Sequence, residues 1–352
     1  MREYRLACIP GDGIGPEVVA SGLRVMRRAG EVTGRFTIRT TDLPWSCAYY
    51  LEHGVMMPDD GLRVLADHDA IYLGAVGFPT VPDHVSLRGL LLPIRQGFDQ
   101  YVNLRPVRVL DGIPSPLREG TSKTVDILCI RENTEGEYAG IGGRFKRNTP
   151  DEVAVQSSIY TRKGVERIGR YAFQRAQQRR KRVASATKSN ALQYTAVLWD
   201  EVMDGLAGQF ADVVLTRYHV DALAARFVTE PESLDVVVGS NLYADILTDL
   251  GGALQGSLGL AASANLNPER KHPSMFEPVH GSAPSIAGRG IANPLAAVWS
   301  ASLLLEHLQE PDAAELVMRA VERVAAAGPR TADLGGRAST EQVTDALINA
   351  MA

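Results

Sequence analysis

Short apolar runs recur along this chain with amphipathic helical stretches between them, and that rhythm limits its fold more than any other feature. Residues 5–10 read as a buried strand, and the following Gly-Asp-Gly-Ile-Gly-Pro-Glu opens a helical pattern from about Glu17 to Ala29. Further strand candidates lie near 36–40, 70–73, 125–130, 182–185, 213–218 and 235–238, mostly with helical patterns between them. Parallel strands need a crossover before the chain can pair again, so the alternation predicts an α/β fold with a mainly parallel sheet. With 352 residues, and domains of roughly 100 to 200 residues each, two domains are expected.

The rhythm breaks at 149–161. There Val153, Val155 and Ser157 alternate with polar partners after the glycine-rich stretch 140–143, which predicts an antiparallel β arm over about 138–161. After Gly259 the chain is glycine- and proline-rich as far as Pro294. It then reads as helix over 294–308, 313–326 and 341–351.

Composition narrows the class of function. The 37 Lys and Arg residues face 41 Asp and Glu, a net charge of −4, which excludes a strongly basic nucleic-acid binder. The run Arg175, Arg179, Arg180, Lys181 and Arg182 reads as the solvated end of a helix, where cations complement the helix dipole. No stretch approaches the roughly 18 apolar residues of a membrane span, and no export signal is apparent. Cys8, Cys47 and Cys129 are odd in number with no C-x-x-C spacing, so neither a disulfide framework nor a thiolate zinc site is suggested. A cytoplasmic protein handling a small molecule is expected, with neither nucleic acid nor membrane as partner.

Several groups of residues carry chemistry. Gly11, Gly13 and Gly15 are spaced either to let backbone amides approach a cofactor or to turn a strand tightly into a helix. They lack the register of the dinucleotide-binding glycine fingerprint. A stronger signal is the strand that passes through Gly239 into a helix carrying Asp245 and Asp249, four residues apart on one face. Like charges so placed repel; an oxygen-bound divalent cation is one reason for them, surface acidity another. Asp221 also follows a buried strand, as a third ligand or as a carboxylate at a helix N-terminus. Arg95, Arg105 and Arg131 sit at the edges of apolar segments, where a guanidinium can grip a carboxylate with two hydrogen bonds or form an ordinary ion pair. Three arginines beside an acidic metal site fit an anionic, metal-chelating substrate.

Taken together, the chain resembles the β-decarboxylating dehydrogenases of the isopropylmalate and isocitrate dehydrogenase family. The resemblance rests on Ile9-Pro-Gly-Asp-Gly-Ile-Gly-Pro-Glu17, Asn103-Leu-Arg-Pro106, Arg131-Glu-Asn-Thr-Glu-Gly-Glu-Tyr138, Lys188-Ser-Asn190 and the stretch Asn241 to Asp249. Glu277-Pro-Val-His-Gly-Ser-Ala-Pro284 and Gly290-Ile-Ala-Asn-Pro294 complete it. Pro44-Trp-Ser-Cys-Ala-Tyr-Tyr50, Met56-Met-Pro58, Val81-Pro-Asp-His84 and Gln96-Gly-Phe-Asp-Gln100 resemble the tartrate and D-malate branch. The family's fold is not the classical Rossmann one. It implies a discontinuous cofactor-side domain, 1–100 and 256–352, and a second domain, 101–255, for dimerisation, substrate and metal, whose β arm clasps a partner in a homodimer with shared active sites.

The resemblance also implies roles. Arg95, Arg105 and Arg131 would grip a hydroxy-dicarboxylate, Asp245 and Asp249 would bind Mg²⁺ or Mn²⁺, and Lys188 and Asp221 would reach in from the other subunit. Tyr138 would donate a proton; Asn190, Glu277, His280, Gly281, Ala283, Ser285 and Asn293 would meet NAD. The implied reaction is hydride transfer from C2 of D-malate followed by loss of carbon dioxide, with oxidation of tartrate at C2 beside it, and another 3-substituted malate such as isopropylmalate as the alternative. A catalytically silent regulatory paralogue is the rival from another class, and intact Tyr138, Lys188 and all three aspartates argue against it. Three positions depart from the family pattern: Ser285 replaces an aspartate, Ala244 a glycine before Asp245, and Arg88 a tryptophan or glutamate in what reads as a substrate-side loop, 87–94.

Overall fold

A computed structural model describes residues 1–352, the side chain of Glu119 aside. Its strands are β1 (Arg2–Gly11), β2 (Phe36–Asp42), β3 (Ala70–Ala75), β4 (Val102–Arg108), β5 (Asp126–Glu132), β6 (Gly136–Phe145), β7 (Val153–Ile159), β8 (Arg182–Thr187), β9 (Val214–His219), β10 (Val236–Gly239), β11 (Ala262–Leu266) and β12 (Ser274–Pro278). The chain forms two compact units, Met1–Gln100 with Arg108–Lys123 and Gly252–Ala352, and Tyr101–Val107 with Thr124–Gly251.

In the first unit the strand order is β2-β1-β3-β12-β11. β1 runs parallel to β2 and β3, and β3 parallel to β12, while β11 and β12 are antiparallel. Every residue of β3 is buried, as a parallel strand covered on both faces requires. The helix Gly15–Thr33 starts with Pro16 in its first turn and ends at Gly34, a left-handed residue whose N–H closes on Gly30 O. It buries Val18, Val19, Val25 and Met26.

Two expectations fail here. The glycine- and proline-rich reading of 259–294 overlooked β11 and β12, because their buried positions include Ser263, Asn265, Ser274 and Glu277 rather than an apolar run. These polar groups are partnered inside: Asn265 Nδ2 donates to Glu277 Oε1 at 2.7 Å, and Ser300 Oγ donates to Glu277 O at 2.9 Å. The expected loop 87–94 is helical instead, with a π-helical turn over Leu87–Leu91 between helices Asp83–Ser86 and Leu92–Gly97. Leu90, Leu92 and Ile94 are buried, and Leu90 and Ile94 share a cluster with Trp45, Met56, Leu73 and Phe98, which favours a turn that keeps them on one side.

In the second unit the order is β4-β5-β10-β8-β9. β10 pairs in parallel with β5 and β8, and its Val236, Val237 and Val238 are fully enclosed. β6 and β7 form a separate antiparallel ribbon, the β arm, whose register slips between Gly136 and Ile141. Ile141, Phe145, Val153 and Val155 stand exposed on it. The basic run ends the helix Arg162–Gln177 as expected and is paired there: Arg179 with Asp235 at 2.8 Å, Arg180 with Asp126 at 3.1 Å and Lys181 with Asp212 at 3.1 Å. Among the described residues no helix is long and apolar enough to cross a membrane.

Candidate active site

In the second unit β10 passes into the helix Asn241–Leu254 at Gly239, where a side chain would crowd Ala186 and Ala244. Ala244 takes an ordinary helical place, its N–H bonded to Ser240 O at 3.0 Å, so its departure from the family glycine leaves the backbone before Asp245 unstrained. Asp245 and Asp249 follow one turn apart. β4 and β5 bring Arg105 and Arg131 to this helix, 7% and 3% exposed. Arg131 donates to Asp245 Oδ1 at 2.6 Å and, through Nε and a terminal nitrogen, to Asn241 Oδ1 at 3.0 and 2.6 Å. Arg105 donates to Asp245 Oδ1 at 3.1 Å and to Thr248 Oγ1 at 2.7 Å. Tyr138 Oη donates to Asp245 Oδ2 at 3.2 Å.

The electrostatics follow from this crowding. Burial, and then the charge of Asp245, raise the Tyr138 phenol above its ordinary range, so its hydroxyl stays protonated and can serve as a proton donor. Arg105 approaches Asp249 no nearer than 4.0 Å; burial raises the Asp249 carboxyl, with Arg105 opposing and Asp245 reinforcing. Two carboxylates one turn apart, all oxygen donors, suit a hard divalent cation.

Lys188 and Asp221 form a separate pair in the same unit. β8 and β9 lie in parallel register with Thr187 opposite His219, so the residues just beyond them face each other. Lys188 Nζ lies 2.8 Å from Asp221 Oδ1, and this hydrogen bond, more than any other contact, holds Asp221 below the usual carboxylate range. Among the described residues no three His, Cys, Asp or Glu side chains converge as a metal site would require. Asp221 therefore does not join Asp245 and Asp249 within one chain. Asn190 is exposed in the turn after Lys188.

The remaining candidates lie in the first unit. Arg95 is buried and donates to Glu277 Oε1 at 2.6 Å, so both are engaged with each other. Gly11 and Gly13 have φ of 73° and 58°, and a side chain on either would run into Ala75 O or Ser282 O. The buried Asp12 carboxylate accepts N–H groups from Cys47, Ala48 and Gly77 at 3.0, 3.2 and 3.1 Å. This glycine turn thus carries the loop after β12, since Ile14 N–H donates to Ser282 O at 2.9 Å.

That loop is tied at both ends and open between them. His280 is kept neutral chiefly by burial, and its Nε2 is buried without a hydrogen-bond partner, as a group awaiting a ligand would be. Ala283 holds a φ of 42°, Gly281 and Ser285 are exposed, and Gly290 O accepts Thr340 N–H at 2.9 Å. The Asn293 side chain is engaged at both ends, with Asp333 at 2.9 Å and Leu295 N–H at 3.0 Å. Arg88 is exposed on the π-helical turn.

Sequence reasoning missed the residues that hold these groups. Asn241 and Thr248 lie four before and three after Asp245, on its helix face, a spacing that was available as a signal. Asp12 and Asp333 gave none, because their partners lie far along the chain.

Comparisons with known proteins identify the family of the whole chain. The family model described as isocitrate/isopropylmalate dehydrogenase matches residues 5–347. A probable tartrate dehydrogenase/decarboxylase of Agrobacterium vitis is 54% identical, over 100% of this chain and 99% of its own. A D-malate dehydrogenase (decarboxylating) of Escherichia coli is 51% identical over 99% and 98%. The crystal structure of isocitrate dehydrogenase from Methylococcus capsulatus superposes with a TM-score of 0.88 at 35% identity, covering 99% of each chain. A chain matched from end to end in this way belongs to the isocitrate/isopropylmalate dehydrogenase family, an oxidoreductase with that family's α/β fold and full-length kinship to decarboxylating tartrate and D-malate dehydrogenases.

Proposed function

We propose that this protein oxidises D-malate, and tartrate, at C2 with NAD and a divalent cation, and releases carbon dioxide from the keto acid formed from malate. The observation that carries the reading is the meeting of Arg105, Arg131 and the Tyr138 hydroxyl on Asp245, with Asp249 one turn away. Dehydrogenases of this family generally take NAD(P) and a divalent metal. When bound, Mg²⁺ or Mn²⁺ supplies a Lewis acid for the hydroxyl oxygen and NAD a hydride acceptor.

The chain's own residues supply the rest. Arg105 and Arg131, with Arg95, exchange their present carboxylate partners for those of the substrate. Lys188 takes the hydroxyl proton as hydride leaves C2. The keto acid has a carboxylate β to its ketone, whose loss leaves an enolate, and Tyr138 protonates that at C3. Asp245 and Asp249 bind the cation, and Lys188 and Asp221 complete the site from the other subunit of a homodimer. Their separation from Asp245 and Asp249 within one chain supports this arrangement, as do the exposed apolar residues of the β arm and Leu192, Tyr194, Val197 and Ile246 on the same unit. The reading gives this unit dimerisation, substrate and metal, and the other unit the cofactor, with His280, Gly281, Ala283, Ser285 and Glu277 on the NAD side and Asn190 near the nicotinamide. Asn293 would meet NAD through its backbone, its side chain being engaged. Three buried, unpaired cysteines accord with a cytoplasmic setting.

NADH formation from a panel of (2R)-malates, with and without divalent metal, tests the reaction; activity without metal, or none on the whole panel, overturns it. On the same panel Arg88→Trp should lose about ten- to a hundredfold in kcat/KM on tartrate, whose C3 hydroxyl the guanidinium would hold, and little on isopropylmalate. Equal changes on all substrates would leave Arg88 without a part in selection.

Ser285 sets the cofactor preference. Without a carboxylate there, the ribose hydroxyls lose an acceptor and a 2′-phosphate meets no repulsion, though no added cation attracts it. Ser285→Asp should therefore raise the ratio of NAD to NADP efficiency. An unchanged ratio would place Ser285 away from the ribose.

A further inference from the structure

We propose that Glu137 is a positioning residue, which pins the root of the β arm to the first turn of the Asn241–Leu254 helix and so holds the Tyr138 hydroxyl on Asp245. The inference rests on the reading of Tyr138 as proton donor. β6 and β7 pair at Gly136 with Ile159, slip, and pair again from Ile141 with Ser157. Residues 137–140 therefore lie in the irregular stretch, where a regular ladder does not fix them. The bond from Tyr138 to Asp245 is long for O–H···O at 3.2 Å, so the backbone has to place the ring.

Glu137 supplies that anchor. Its Oε2 accepts Leu242 N–H at 3.1 Å, and its Oε1 accepts the hydroxyls of Tyr160 at 2.6 Å and Ser240 at 3.2 Å. A carboxylate at the start of a helix is favoured by the unpaired N–H groups and dipole there. Tyr160 is itself fixed edge-on to Trp199, ring centroids 6.2 Å apart, and Trp199 Nε1 donates to Ser185 at 2.9 Å. Gly136, at φ 73°, lets the strand pass Asn241, which holds Arg131. Adjacent residues 137 and 138 thus meet one helix at two points a turn apart, Leu242 and Asp245. Without the first contact, Tyr138 keeps the long bond to Asp245 and the Arg131 guanidinium 5.5 Å from its ring centroid, and the arm root keeps a 3.3 Å bond from Asn241 Nδ2 to Glu135 O.

The test compares Glu137→Ala, Glu137→Gln, Tyr160→Phe and Tyr138→Phe in the intact dimer with metal and NAD. Glu137→Ala should lower kcat about ten- to a hundredfold, the effect of a small misplacement of a reacting group, with KM for the hydroxy acid within about threefold. The solvent deuterium isotope effect on kcat should rise as protonation at C3 becomes limiting. Glu137→Gln keeps one carbonyl acceptor and should recover most of the loss, while Tyr160→Phe should show a smaller loss with the same isotope signature. A folded, dimeric Glu137→Ala with wild-type kcat, or one losing kcat and KM together with no change in isotope effect, overturns the proposal. Should Glu137→Ala not fold, Glu137→Gln and Tyr160→Phe decide by the same readouts. Tyr138→Phe separates the two ideas: wild-type kcat there sinks the donor reading itself, whereas a loss there with none at Glu137 sinks only the positioning.

Discussion

Asp245→Asn is expected to cut kcat/KM by about a thousandfold, the largest effect of any single change in the site. Asp245 is where the two buried arginines and the Tyr138 hydroxyl converge, and it is also a proposed ligand of the cation. The amide keeps the shape, but it removes the charge that balances Arg105 and Arg131 and turns one acceptor into a donor. Removing a charged ligand of the proposed cation forfeits part of the Lewis-acid stabilisation of the reacting oxygen, which is worth several kcal/mol, about 3 to 5 here. At about 1.4 kcal/mol per factor of ten, that corresponds to two to nearly four decades in rate. The fold should suffer less, because Arg131 keeps Asn241 and Arg105 keeps Thr248. Steady-state kinetics and calorimetric titration of Mn²⁺ would check both halves; more than a tenth of wild-type efficiency, with unaltered Mn²⁺ affinity, would remove Asp245 from the centre of the site.

Mixing two inactive chains should restore activity. Lys188→Ala and Asp245→Ala each abolish a residue that the proposed dimer places in the same site from opposite subunits. Random pairing makes about half the dimers mixed, and each mixed dimer holds one intact site of two, so about a quarter of wild-type activity should return on co-expression. Mass spectrometry verifies the mixed dimers. If they form and stay inactive, each site is built within one chain, and the pair Lys188 and Asp221 has a role apart from Asp245 and Asp249.

What was legible in the sequence divides along physical lines. β1, β3, β5 and β10 were visible because a strand covered on both faces is mostly apolar in its middle, and β8 through its buried Val183, Ala184 and Ala186. Asp245 and Asp249 were visible because helical spacing alone puts them side by side. β4, β11 and β12 were not, since their buried Asn103, Arg105, Asn265 and Glu277 are admitted only by partners that the linear pattern does not show. The engagement of Arg95 with Glu277 joins residues 182 apart in the chain. The helical state of 87–97 depended on the apolar cluster that Leu90 and Ile94 enter. Motif resemblance suggested the proposed roles, but it did not point to Asn241, Thr248 and Glu137, which hydrogen-bond Arg131, Arg105 and the first turn of the helix.

The division of the first unit between the two ends of the chain bears on how the protein is made. β3 pairs with β12, Tyr72 Oη donates to Ala297 O, and Tyr4 Oη to Leu308 O, so the opening strands obtain these partners from the closing segment. On the ribosome β3 waits for roughly 200 further residues, about 10 to 40 s at about 5 to 20 residues per second. Meanwhile the intervening unit, contiguous apart from β4's early start, can fold. The strands made first spend that interval with an apolar edge open to water, where a holding chaperone would bind, until β12 emerges to close it.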